Sequence, residues 1–116
     1  MELDAAFMDG DSLAMGAVAG VRNLANPVLI AAALSEERFN SFMVGGGAEQ
    51  WAIHKGFEQK QMLTERALQH YRKRCRETLA RGLNPYTGHD TVGMITLDQN
   101  SKICVATSTS GLFMKR

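Results

Sequence analysis

The sequence predicts an α+β fold, on three observations. Short apolar runs joined by Asp-containing turns stand near both ends of the chain, in residues 2–21 and 91–111, and read as paired strands. Between them lie stretches that open with helix-starting residues and continue with helix formers. The 116 residues, 45% apolar and 22% charged, make one ordinary globular domain or less, long enough to bury roughly two thirds of its unfolded surface.

In order along the chain, "ELDAAFMDGDSLAMGAVAGV" reads as two short strands around a turn at residues 8–12, where Asp-Gly and Asp-Ser supply turn chemistry. Gly16 and Gly20 suit close backbone packing. "NPVLIAAALSEERF" predicts a helix with Asn26 as N-cap and Pro27 at its first position. "SFMVGGG" predicts a short buried strand ending in a glycine turn, and "GAEQWAIHKG" a helix stopped by Gly56, with Trp51 as a packing residue. From Thr64 a longer helix carries Ala67, Tyr71, Cys75 and Leu79 every four residues, behind Leu63, and closes at Gly82. "LNPYTGHD", residues 83–90, is a polar linker. "TVGMITLDQNSKICVATSTSG" predicts a hairpin turning at residues 98–101, apolar enough on alternate and intervening positions to have both faces covered.

The net charge of +1 hides a segregation: residues 1–58 carry eight acidic and three basic side chains, residues 60–82 two acidic and seven basic. Near neutrality and the lack of interleaved aromatics make the basic block a solvated helix face rather than a nucleic-acid footprint. A nucleic-acid binder acting through residues 66–81 would be retained on a polyanion in a salt-dependent way. Cys75 and Cys104 have no short-spaced metal-binding partners and read as small buried hydrophobes, a disulfide between them staying open. No metal or cofactor is called for. "MELDAAFMDG" is acidic and unlike a secretory signal, and the apolar run at Val28–Leu34 is too short to cross a bilayer, so the chain looks soluble and untargeted, with no membrane partner. His54 and His70 fall in helices and read as surface or packing residues.

The chemistry concentrates at "TGHDTVGM", residues 87–94. A threonine hydroxyl is a weak nucleophile unless a base adjoins it, and an N-terminal threonine supplies that base in its own α-amine. Thr91 is internal. It could liberate itself by attacking the Asp90 carbonyl, moving the acyl group from nitrogen to oxygen, with Asp90 or His89 assisting the first proton transfer and water cleaving the ester. The other local reading is a plain turn, since Asp before a strand-initial threonine is common there.

"GHDTVGMITLD", with "LDAAFMDG", "GAVAGVRNLANPV", "MVGGGAEQWAIHKGF" and "ATSTSG", resembles the glycosylasparaginase family of N-terminal-nucleophile hydrolases, from Leu3 to Lys115. The resemblance implies a partial αββα sandwich, about half of two sheets held between helix layers. It divides the chain into an α-subunit-like part, residues 1–90, and the start of a β-subunit-like part, residues 91–116. It further implies cleavage between Asp90 and Thr91, with His89, Asp90 and Thr91 as the autoprocessing residues. Thr91 would be the nucleophile and Thr109 the threonine beside it, which a hairpin with a four-residue turn can bring alongside. The substrate would be the side-chain amide of asparagine, free or bearing N-acetylglucosamine, hydrolysed through a β-aspartyl ester. The isoaspartyl peptidase and plant-type asparaginase branch is the runner-up, sharing "LDA", "MDG", "GAV" and "ATST". His89, Asp90 and Met94 favour the glycosylasparaginase branch.

The family's Gly-Arg-(Val/Leu)-Gly-Asp-Ser-Pro run, whose arginine and aspartate hold the substrate's carboxylate and amine, falls after Arg116, and a Thr-Gly oxyanion pair lies later still. Arg116 follows Lys115 without the required glycine and reads as a basic terminal residue rather than that anchor. The chain by itself is therefore expected to lack amidase activity. A half sandwich would also self-associate or recruit a complementing fragment. A reading from another class is a non-catalytic remnant or binding module that keeps the fold and has lost the reaction.

Overall fold

The computed structural model describes residues 1–82 and 91–110. They form one mixed sheet of five strands with three helices, in keeping with the α+β expectation. The strands are β1 (Leu3–Asp9), β2 (Met15–Val21), β3 (Phe42–Val44), β4 (Thr91–Leu97) and β5 (Ile103–Thr109). Their spatial order is β3-β2-β1-β5-β4, antiparallel throughout except for the β2–β3 pair. The helices are α1 (Pro27–Ser35), α2 (Gly45–His54) and α3 (Glu65–Arg81).

The core lies on one face of β1 and β2. Leu3, Ala5, Val18 and Val21 point toward α1 and α2 and are buried with Leu24, Ile30, Ala31, Leu34, Ala48 and Ala52. Gly16 lets α1 approach: a Cβ there would come within 2.0 Å of the Ala31 carbonyl oxygen, so only glycine fits. Trp51 stacks on Phe57 with ring centres 6.4 Å apart and packs against the same core.

Several local expectations need correction. Gly20 has open space around its Cα and instead supplies a φ of +63° at a β-bulge, where Ala19 and Gly20 together face the single residue Asp4. Asn26 lies at the N-cap of α1 in the left-handed region and makes no side-chain cap; its carbonyl accepts from Leu29 N at 3.0 Å. β3 is not buried: it is an edge strand with Phe42 and Val44 exposed and Met43 alone packed on the core. Gly45–Gly47 do not form a terminal turn but open α2, whose buried residues Ala48 and Ala52 sit one turn apart.

Thr64 caps α3, its hydroxyl accepting from Ala67 N at 3.2 Å, and Gly82 closes the helix at a φ of +59°. None of the residues of α3 is buried, and Leu79, on the expected apolar side, is 83% exposed. Its basic residues are partly neutralised along the helix, Glu77 pairing with Lys73 and Arg74. Cys75 and Cys104 are not bridged to each other and are half-buried, which removes the disulfide and the fully buried reading together. The β4–β5 hairpin is present, but every residue of β4 is exposed, so the expected cover on both faces is not found among the described residues. No described helix is long and apolar enough to cross a membrane.

Candidate active site

The site is built from a hairpin whose register is fixed by its turn. Asp98 Oδ1 accepts from Asn100 N at 2.8 Å and from Lys102 N at 2.9 Å, and Ser101 sits at a φ of +62°. Asp98 N donates to the Lys102 carbonyl at 3.0 Å, closing the turn. From there the ladder runs without interruption from Leu97 opposite Ile103 to Thr91 opposite Thr109. A slip of one residue would send every side chain to the other face, so this turn decides which residues meet Thr91.

Thr91 and Thr109 are thus directly opposed, the first residue of β4 against the last of β5. Opposed residues of an antiparallel pair project to the same face with Cβ atoms about 4.5–5.5 Å apart, close enough for one hydroxyl to act on the other. Thr109 is also directly opposite Asp4 of β1, so Asp4, Thr109 and Thr91 form one row across three strands. The next row is Ala6, Thr107 and Gly93, small side chains that leave the surface beside Thr91 low.

The row projects away from the helix-covered core. Ala5 and Phe7, which pack on the helical side, are opposed by Ser108 and Ala106; Asp4, Thr109 and Thr91 alternate with them. Thr91 begins an edge strand, reachable from solvent on the sheet face and along the edge.

The structure therefore brings together Thr91 and Thr109 of the residues singled out from sequence. His89, Asp90, Lys115 and Arg116 lie outside the described residues. Asp4, an aspartate inside the apolar run "LDAAFM", shares the row of Thr91 and Thr109 across the strands. A shallow concavity of about 450 Å³ runs along α3 beside Thr64, Ala67, His70 and Lys73, and it includes neither threonine of the row. Among the described residues no group of three His, Cys, Asp or Glu side chains is placed to hold a metal ion.

At the far end of β1, the Asp9 carboxylate organises the turn into β2. It accepts from Ser12 Oγ at 2.5 Å and from Asp11 N at 3.3 Å. The Ser12 hydroxyl first, then the Asp11 amide, hold its carboxyl below the ordinary range. Lys102 reaches the same turn through Asp11 at 3.0 Å, tying the β1–β2 turn to the hairpin turn.

Thr91 opening an edge strand, with Thr109 opposite it, is the pairing that the sequence resemblance implied. A family model described as Asparaginase matches residues 1–116, and the chain belongs to that family. Membership supports reading the sheet and its helices as part of the N-terminal-nucleophile hydrolase fold. The chain is 37% identical over 118 residues to a mouse protein named isoaspartyl peptidase/L-asparaginase, covering 99% of this chain and 36% of that one. It is 37% identical over 123 residues to the isoaspartyl peptidase of Escherichia coli K12, covering 98% and 38%. To the N(4)-(beta-N-acetylglucosaminyl)-L-asparaginase of Elizabethkingia miricola it is 31% identical over 113 residues, covering 97% and 33%. The chain spans about a third of the length of these curated relatives.

Proposed function

We propose that this chain carries the self-processing junction and the nucleophile of an amidohydrolase acting on the β-carboxamide of aspartate derivatives. The observation that carries the reading is the direct opposition of Thr91 and Thr109 at the exposed edge of the sheet. Cleavage between Asp90 and Thr91 would turn the Thr91 amide nitrogen into an α-amine. That amine, basic near neutral pH, takes the proton of the Thr91 hydroxyl as the oxygen attacks the substrate carbonyl. The amine nitrogen then returns the proton to the departing amide nitrogen, leaving a β-aspartyl ester that water hydrolyses to aspartate. Thr109, one strand away, supports the charge and orientation of the Thr91 amine.

Two substrate classes fit this chemistry. His89, Asp90 and Met94 support the sugar-bearing asparagine, and the glycosylasparaginase of Elizabethkingia miricola stands among the relatives. The mouse and Escherichia coli relatives, at higher identity, support an isoaspartyl peptide or free asparagine. Both share the β-carbonyl and differ only in the leaving amine, so Thr91 has the same role in each.

The test is the intact mass of the purified chain after incubation near neutral pH, beside Thr91→Ala. A product of residues 91–116 that is absent from the variant supports the reading. A chain uncut in both removes self-processing in this chain and favours a binding module. Release of aspartate from asparagine, N-acetylglucosaminyl-asparagine and a β-aspartyl dipeptide by the full-length protein then separates these substrates.

A further inference from the structure

We propose that the open edge of β4 is an interface between two copies of this chain, joined antiparallel about a two-fold axis at Met94 into one continuous sheet. β4 ends the sheet, and no strand lies beyond it among the described residues. The direction of its backbone groups follows from its pairing with β5. Asp98 N donates to the Lys102 carbonyl at 3.0 Å, and the next carbonyl, that of Ile103, turns away from β4 to accept from Gly10 N at 2.7 Å. Antiparallel neighbours alternate between hydrogen-bonded and non-hydrogen-bonded pairs, and the β4–β5 register runs unbroken. Val92, Met94 and Thr96 therefore spend their amides and carbonyls on β5. Those of Thr91, Gly93, Ile95 and Leu97 point outward from the edge of the sheet.

Such an edge is matched by an extended strand, and β4 of a second copy fits it best. Setting Met94 opposite Met94 brings Thr91 opposite Leu97 and Gly93 opposite Ile95, so each outward residue of one copy meets an outward residue of the other. No other two-fold register engages all four. The strand "TVGMITL" carries no charged residue and no proline, the devices by which exposed edges usually avoid pairing, so two copies meet without repulsion and without a missing donor. On the face shared with Phe7, Val92 and Met94 are 69% and 60% exposed in the single chain, and pairing sets those of the two copies side by side in one apolar strip. The opposite edge, β3, has three residues and is a poorer template. Pairing β4 with itself is an isologous contact that closes on two copies, whereas β4 against β3 would run on into filaments. The contact is made by backbone groups and stands independently of the role proposed for Thr91.

The two-fold makes Met94 its own neighbour, and the test uses that. Sedimentation of the 116-residue chain over a concentration series is expected to show dimers. Met94→Lys and Met94→Glu each set like charges opposite one another with Cα atoms about 4.5 Å apart, and each alone is expected to dimerise roughly fivefold more weakly. An equimolar mixture of the two is expected to recover the dimer through a Lys–Glu pair. Met94 is exposed, so neither change disturbs the core. A chain that stays monomeric, variants that pair as the wild type does, or a mixture no tighter than its components each overturn the proposal. Amide exchange locates the contact: Gly93 and Ile95 should slow as concentration rises, while Val92 and Met94 are slow throughout. A dimer in which Gly93 and Ile95 stay fast is joined through another surface and rejects the edge. Protection of those amides in a monomer rejects it too, because another segment of the same chain then lies on β4. Running the series also in Thr91→Ala, where the junction stays whole, keeps failure of self-processing distinct from failure of pairing.

Discussion

On β1 and β2 the side chains facing the helices, Leu3, Ala5, Val18 and Val21, are buried, whereas on β4 in the same sheet all seven residues are exposed. The first region is held by packing: α1 and α2 close over the strands, and Gly16 admits the helix backbone. The second is held by a ladder and a turn, with Thr91 at its free edge. Stability and the proposed chemistry are therefore located in different strands of one sheet, and they meet where β1 pairs with β5.

This contrast is open to a direct attack with one residue type at two sites. Ile30 of α1 is fully buried among Leu34, Val18 and Val21, and its truncation to alanine is expected to destabilise the fold by about 2–5 kcal/mol, the usual range for a core isoleucine. Ile95 of β4 is 74% exposed, and the same truncation there is expected to stay within about 0.5 kcal/mol. Urea unfolding of the two variants decides it. A large loss at Ile95 would mean that something covers β4 in solution.

The helix α3 sharpens the comparison from the other side, because none of its residues is fully buried among the described residues. Thr64→Ala removes the hydroxyl that accepts from Ala67 N and is expected to cost about 1 kcal/mol of helix stability. Faster amide exchange at Ala67 and Leu68, with the β1–β2 ladder unaffected, is the expected result. An equal loss of protection in the sheet would show that α3 is packed against it.

The sequence made legible whatever depends on neighbours along the chain. The hairpin and its turn were readable from Asp98 and the flanking apolar runs, the start of α3 from Thr64, and its stop from Gly82. What failed depends on a partner elsewhere. Val92, Met94, Ile95 and Leu97 mark a strand suited to burial, but apolar character does not reveal whether a covering layer is present. Gly20 was read as a packing glycine, whereas its function in the bulge exists only because Asp4 lies opposite it. Asn26 carried the right residue type at the right position, yet its backbone is left-handed and its side chain makes no cap hydrogen bond.

The smallest expected effect lies where the two regions touch, at the turn organised by Asp9. The Ser12 hydroxyl and the Asp11 amide stabilise the ionised carboxylate and hold it below its ordinary range. A carboxyl depressed in the folded state stabilises the fold at pH values above its unfolded pKa, and that contribution is lost as pH falls through the folded one. Loss is therefore expected to set in below about pH 5, where an unfolded aspartate begins to take up its proton, and to grow as pH falls further. Ser12→Ala should raise the Asp9 midpoint in a carbonyl-detected titration toward the ordinary value. The same variant should unfold at slightly lower urea near pH 6, and the gap from the wild type should close as pH drops through the window. A gap that stays constant with pH would mean that Ser12 acts by shaping the turn, through its own hydroxyl accepting from Ala14 N at 3.2 Å, rather than by stabilising the charge on Asp9.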